Sequence, residues 1–85
     1  MSAFALEGPY TVDPANKFGS ITLWTQKQGG IATGNGATTN NGKWAATNKA
    51  LPAGQYDTWG ELLTWDPANK KFLSSFTKTV NVTVK

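Results

Sequence analysis

The chain has 85 residues, of which 8 are lysines and 5 are acidic, and its net charge is +3. A chain of this length has room for one domain with a thin core, so we expect residues 1–85 to form a single domain. Cysteine and histidine are absent, which excludes disulfides, thiolate or imidazole catalysis and the common zinc sites. The lysines are scattered and arginine is absent, so the charge predicts solubility rather than nucleic-acid binding.

Two classes of targeting segment are missing from the sequence. No stretch approaches the ~20 apolar residues that a membrane-spanning helix needs. The first residues lack the basic and apolar regions of a secretory signal peptide. We therefore expect no membrane insertion, and a chain that is either a complete small protein or a module of a larger one.

Apolar and polar residues alternate along most of the chain, and turn residues recur about every ten residues. This pattern predicts an all-β, antiparallel two-sheet sandwich of about six to seven strands. The predicted strands cover residues 4–12, 18–28, 31–38, 43–48, 55–65 and 71–84.

Two predicted strands contain local irregularities. Gly8 and Pro9 indicate a bulge or an edge position in the first strand. In the last strand, Lys78 has the same parity as Phe76 and Val80, which predicts a bulge near residues 77–79.

Residues 51–56 read Leu-Pro-Ala-Gly-Gln-Tyr and follow the strand that begins Gly42-Lys43-Trp44. The pattern resembles the tyrosine corner of bacterial and phage immunoglobulin-like domains, which are similar to fibronectin type III domains. In that motif a Tyr at the start of strand F bonds back to the nearby backbone. The resemblance implies an immunoglobulin-like sandwich in which the predicted strands are B to G and strand A is missing or reduced to the first residues. It implies a structural tyrosine corner of Leu51, Gly54 and Tyr56, with Leu51 as a core neighbour of the Tyr.

The pentapeptide Asp-Pro-Ala-Asn-Lys occurs at residues 13–17 and again at residues 66–70. Asp and Pro favour a tight turn at both places. The resemblance puts these turns in the B–C and F–G loops, which lie at the same end of the sandwich. A polar end surface would then comprise Asp13, Asn16, Asp66 and Asn69. Calcium needs about six to eight oxygen ligands and lysines adjoin the turns, so we expect turn chemistry, no metal and no other cofactor.

Strand 55–65 has the most informative pattern in the chain. If Tyr56 points inward, the alternate residues point outward, and Trp24 joins them from the neighbouring strand. This predicted partner-binding face comprises Trp24, Asp57, Trp59, Glu61, Leu63 and Trp65. Apolar patches with an acidic rim are typical of interaction surfaces, and Trp is enriched among residues that dominate binding energy. The alternative is that the chain covers this face itself, or that the Trp side chains, Trp24 above all, belong to the core.

The sequence lacks the parts of a hydrolase. Asp57 and Glu61 are four residues apart on one strand, about 13 Å at 3.3 Å per residue, which exceeds the separation of a glycosidase carboxylate pair. No nucleophile–base motif occurs. We therefore expect no enzymatic activity and no catalytic residues.

The resemblance and the small size predict a phage head-decoration or cement protein. Such a protein would lie on the virion surface and dock onto the major capsid protein through the outward Trp and Leu side chains. One alternative is a spacer or adhesion module of a larger secreted bacterial protein, located at the cell surface and bound to other surface proteins. Another is a carbohydrate-binding module, in which Trp24, Trp59 and Trp65 stack on sugar rings. Formation of a homo-oligomer remains open in all three.

Overall fold

The computed structural model describes all 85 residues and contains eight β-strands and no helix. The strands are β1 (Ala5–Pro9), β2 (Lys17–Lys27), β3 (Ala32–Gly36), β4 (Thr38–Asn40), β5 (Lys43–Thr47), β6 (Gly54–Asp66), β7 (Lys71–Phe76) and β8 (Val80–Val84). They form a smaller sheet of order β1-β5-β4 and a larger sheet of order β3-β2-β6-β7, in which β8 also pairs with β6. The two antiparallel sheets pack against each other, which confirms the predicted sandwich. Consistent with the absence of helices, no helix suited to crossing a membrane is found.

The predicted strand 31–38 is divided between the two sheets. Its first part, β3, pairs with β2, and its continuation, β4, pairs with β5. The change occurs at Ala37, whose N–H still donates to the carbonyl of Ile21 at 3.0 Å. One predicted strand therefore becomes an edge of each sheet.

The predicted last strand is interrupted at residues 77–79, where the sequence predicts a bulge. β7 is in register with β6 up to Phe76, and β8 is in register again from Val80, so three residues face two of β6. Thr77 keeps the ladder bonded, because its N–H donates to the Gly60 carbonyl and its hydroxyl accepts from the Gly60 N–H at 2.8 Å. The extra residue reverses the alternation and turns the valines of β8 toward the smaller sheet.

The core lies between the sheets and is centred on Trp44. The buried cluster comprises Ile21, Leu23, Trp44 and Ala46. A Cβ added at Gly60 would lie 3.0 Å from Trp44 Cζ2, and one added at Gly8 would lie 3.1 Å from Trp44 Nε1. The indole therefore fills the space between two glycines on opposite sheets. One large side chain from the smaller sheet supplies much of this core.

The tyrosine corner has the geometry that the resemblance implies. The Tyr56 hydroxyl donates to the Pro52 carbonyl at 2.8 Å, and Tyr56 is buried. Gly54 is half-buried and begins β6. Leu51 is half-buried too, but it lies outside the core cluster, so it is not the core residue that the resemblance implied.

The first residues are tied to the segment before the corner. Leu51 exchanges two backbone hydrogen bonds with Ser2, at 2.8 and 3.0 Å. Asn48 is buried, and its Oδ1 accepts from the Phe4 N–H. The chain before β1 therefore forms one isolated bridge, to Leu51 in the segment between β5 and β6, rather than a strand.

Candidate docking face

The orientation of β6 decides which side chains face outward. Its buried residues are Tyr56, Thr58, Gly60 and Thr64, and the residues between them are half-exposed. Tyr56 is only 3% exposed. The predicted orientation of this strand is therefore confirmed.

All of the predicted face residues lie on the outer side of the larger sheet. Each of them is half-buried: Trp24, Asp57, Trp59, Glu61, Leu63 and Trp65. The inward position beside Trp24 belongs to Leu23, which is fully buried, so the alternative that Trp24 is a core residue is wrong. Three contacts on this side of the sheet involve these residues: Trp24 with Glu61, Asp57 with Asn81, and Trp65 with Phe72.

Trp24 is fixed in place by its neighbours. It lies opposite Trp59 on β6, and its Nε1 donates to Glu61 Oε1 at 2.8 Å. On its other side it lies opposite Gly34, where an added Cβ would be 3.1 Å from Trp24 Cζ3. The glycine therefore lets the indole spread across β3 while the carboxylate sets the direction of its N–H.

Trp65 forms a second aromatic pair at the other end of β6. Its ring centroid lies 4.9 Å from that of Phe72 in an edge-to-face arrangement, the geometry that aromatic quadrupoles favour. Phe76 lies on the same side of β7, opposite Glu61. Phe72 and Phe76 are 61% and 63% exposed, so they extend the apolar surface across β7. We refer to Trp24, Trp59, Leu63, Trp65, Phe72 and Phe76 together as the aromatic face.

Sequence reasoning missed the two phenylalanines, although the register could have identified them. Asp66 and Lys71 are partners on either side of the Pro-Ala-Asn-Lys turn. Counting back from this pair puts Phe72 opposite Trp65, and alternation then puts Phe76 on the same side.

Both acids on this surface already have partners in the chain. Glu61 accepts from Trp24, and Asp57 Oδ1 accepts from Asn81 Nδ2 at 3.2 Å. Lys17 lies opposite Trp65 at the far end of β6. The apolar surface therefore has carboxylates along one part and a lysine beside its distal Trp.

The two Asp-Pro-Ala-Asn-Lys turns lie at the same end of the larger sheet, as predicted, because Lys17 is the partner of Trp65. Asp13 Oδ1 accepts from the Ala15 N–H at 2.8 Å, and the Asn16 N–H donates to the Asp13 carbonyl. These bonds stay within the first turn.

The second turn has more hydrogen bonds to its Asp. Asp66 Oδ1 accepts from the N–H groups of Ala68 and Asn69, and Oδ2 accepts from Asn69 Nδ2 at 2.7 Å. The Asn69 side chain, followed by the Asn69 backbone N–H, lowers the pKa of Asp66. The oxygens of this predicted end surface therefore serve turn structure, and the structure gathers no group of three or more potential metal ligands.

The surface grooves offer few reactive groups. One groove has a volume of about 260 Å³ and is lined by Tyr10, Trp44, Glu61 and Phe76 among others. Each groove that contains an acid contains only one, either Glu7 or Glu61. No groove therefore brings a pair of carboxylates together.

Comparisons with protein families, curated proteins and solved structures found no match for this chain. The resemblance to immunoglobulin-like domains therefore stays a prediction that is based on the tyrosine corner. What the fold and the site define is a small all-β sandwich with an aromatic face on one sheet.

Proposed function

We propose that this protein is a non-enzymatic structural domain that docks onto another protein through the aromatic face. The observation behind this proposal is that six large apolar side chains share the outer side of a sheet whose inner side already has its core. Phe72 and Phe76 are mostly exposed, and the Trp side chains are half-exposed. Contiguous apolar patches on small proteins mark interaction surfaces.

The face is also ordered before any partner binds. The Trp24–Glu61 hydrogen bond and the Trp65–Phe72 contact restrict the rings that would dominate the interface. Side chains that are already held lose less conformational entropy on binding. Rigid Trp residues in the middle of a patch have the properties of binding hot spots.

The charges favour a protein partner over a sugar. A carbohydrate site would use Asp57 and Glu61 to bond hydroxyl groups, but each of them accepts a hydrogen bond from its own chain. A protein partner would contact mainly the rings and exclude water from them, and it would not need a hydrogen bond to either acid.

Within this class we propose a decoration or cement role on a repetitive protein surface, namely a phage capsid. A flat sheet face makes shallow contacts, and many copies on a lattice gain strength through avidity. The virion surface is the location that this role requires. In the alternative role, a spacer or adhesion module of a secreted protein, the same face would contact neighbouring surface proteins.

The test compares binding to purified particles from the native source with folding of the same variants. We expect wild-type protein to co-sediment with the particles. We expect Trp59→Ala to weaken this binding by about 2 kcal/mol, or roughly 30-fold, because a central hot-spot ring is lost. Thr47→Ala, at an exposed position on the smaller sheet, is the matched control and should bind like wild type.

Cooperative thermal unfolding of Trp59→Ala would show that the variant is folded, so that weaker binding reflects the loss of the ring. Equal binding by Trp59→Ala and wild type would contradict the docking role of the face. Titration of Trp fluorescence with oligosaccharides provides the second arm. A response that Trp59→Ala abolishes, without binding to particles, would replace the protein partner with a carbohydrate.

A further inference from the structure

The sandwich leaves several strand edges unpaired, and all but one of them contain residues that discourage pairing. β4 has only three residues, and β1 contains Glu7 and Pro9. β3 contains two glycines, and β7 begins with Lys71. β8 reads Val-Asn-Val-Thr-Val and has no charge, proline or glycine. A strand edge without such residues can pair with a strand of another chain.

The hydrogen bonds of β6 show which backbone groups of β8 are free at the open edge. Gly60 bonds toward Thr77, whereas the Gln55 carbonyl accepts from Gln28 on the β2 side. Even-numbered residues of β6 therefore bond toward β7 and β8, and Tyr56 is bonded to its partner Val82. By the same alternation, the N–H and C=O groups of Asn81 and Thr83 point away from β6, to the open edge.

We propose that β8 strands of two copies pair in antiparallel fashion around Val82 and form a homodimer. In this register Asn81 of each copy lies opposite Thr83 of the other. These are the residues whose backbone groups face the edge, so each such pair exchanges both of its N–H···O bonds. Val80 lies opposite Val84 of the second copy, and the two Val82 residues meet at the two-fold axis.

The side chains of β8 suit this self-pairing. The sequence has valine at every second position, so reversing the strand about Val82 keeps all valines on one side. Val80 has the inward parity of Thr58, its partner on β6, yet it is 43% exposed. In the dimer the two rows of valines cover each other, while Asn and Thr stay on the outer side.

Pairing about this axis joins the two larger sheets edge to edge. Both aromatic faces would then lie on the same side of one continuous sheet and present two docking surfaces to a repetitive partner. This consequence rests on the proposed function, whereas the pairing itself does not. A pair of short strands covers less than the ~1,200 Å² of a stable interface, so we expect a weak dimer that depends on concentration.

Analytical ultracentrifugation of the free protein over a wide concentration range tests the pairing. We expect a reversible monomer–dimer equilibrium for wild type. The double variant Asn81→Lys, Thr83→Lys and the double variant Asn81→Glu, Thr83→Glu should each self-associate at least ~10-fold more weakly, because like charges face each other across the strands. An equimolar mixture of the two should form dimers again. The matched control, Ala45→Lys with Thr47→Lys, adds the same charges to exposed positions of β5 and should dimerise like wild type.

A cross-linking measurement checks the register. The chain has no cysteine, so Val82→Cys introduces a single thiol at the proposed axis. We expect a disulfide-linked dimer under mild oxidation, with much less from the control Thr47→Cys. A wild-type protein that stays monomeric at millimolar concentration, or a charged mixture that does not dimerise, would overturn the pairing. Neither result concerns the aromatic face, because no partner is present in these measurements.

Discussion

The inner side of β6 contributes to the core, whereas its outer side exposes large apolar side chains. On the inner side, Tyr56 and Leu62 alternate with the small residues Thr58, Gly60 and Thr64, and Leu62 packs against the core cluster. On the outer side, the same strand has two tryptophans and a leucine. Gly60 leaves room for Trp44, which reaches across from the other sheet and fills the space between the two sheets. The large side chains of the outer side are therefore not needed to fill the core, and their presence calls for a role outside it.

Matched leucine substitutions should show the largest difference between the two sides. Leu23 is fully buried, and Leu63 is half-buried on the outer side. We expect Leu23→Ala to lower the free energy of unfolding by about 3 kcal/mol, since it leaves a cavity. Leu63→Ala should lower it by about 1 kcal/mol or less. Urea unfolding measures both, and equal losses would mean that the outer side is part of the core.

Matched glycine substitutions should show a smaller difference in stability between a core position and an open position. A Cβ at Gly60 would lie 3.0 Å from Trp44 Cζ2, whereas a Cβ at Gly36 would meet nothing within 4 Å. We expect Gly60→Ala to destabilise the fold by about 1–2 kcal/mol, because the indole cannot withdraw from between the sheets. Gly36→Ala should be neutral or slightly stabilising. Equal stability of the two variants in calorimetry would contradict the position of the Trp44 indole against Gly60.

The smallest expected effect concerns pH and lies outside both sides of β6. Hydrogen bonds from Asn69 lower the pKa of Asp66 in the folded state. The ionised carboxylate therefore adds stability above the ordinary Asp pKa of about 3.9, and this contribution is lost as pH falls through the lowered folded value. We expect Asp66→Asn to flatten the dependence of unfolding free energy on pH in the acid range. An identical pH profile for wild type and Asp66→Asn would contradict this assignment.

The two copies of the pentapeptide show how far local sequence determines a turn. In both, the Asp side chain accepts from the N–H two residues further on. The second copy is a hairpin that must bring Lys71 opposite Asp66, and Lys70 adopts a left-handed φ of 53°. The first copy leads from β1 to β2 in the other sheet and contains no positive φ. Tertiary context therefore decides how each turn ends.

Much of the fold could be predicted from local patterns. Period-two alternation located the strands, and the tyrosine corner fixed the inward side of β6, which in turn placed Trp59 and Trp65 outside. The bulge at residues 77–79 was predicted because Lys78 has the same parity as the apolar residues Phe76 and Val80.

The missed features depend on pairing that alternation within one strand does not reveal. The crossing at Ala37 arises because the residues after it bond to β5 rather than to β2. Phe72 and Phe76 join the aromatic face only through their register with β6. Leu51 lies outside the core because it bonds to Ser2, a contact between distant parts of the sequence.

Hydroxyl-radical footprinting of the tryptophans, with the protein free and bound to particles from its native source, tests the central claim most directly. Trp24, Trp59 and Trp65 are half-exposed in the free protein, whereas Trp44 is buried and serves as an internal reference. We predict strong protection of the three outer tryptophans on binding, with Trp44 unreactive in both states. Bound protein whose outer tryptophans react as fast as in the free state would contradict a docking role for the aromatic face.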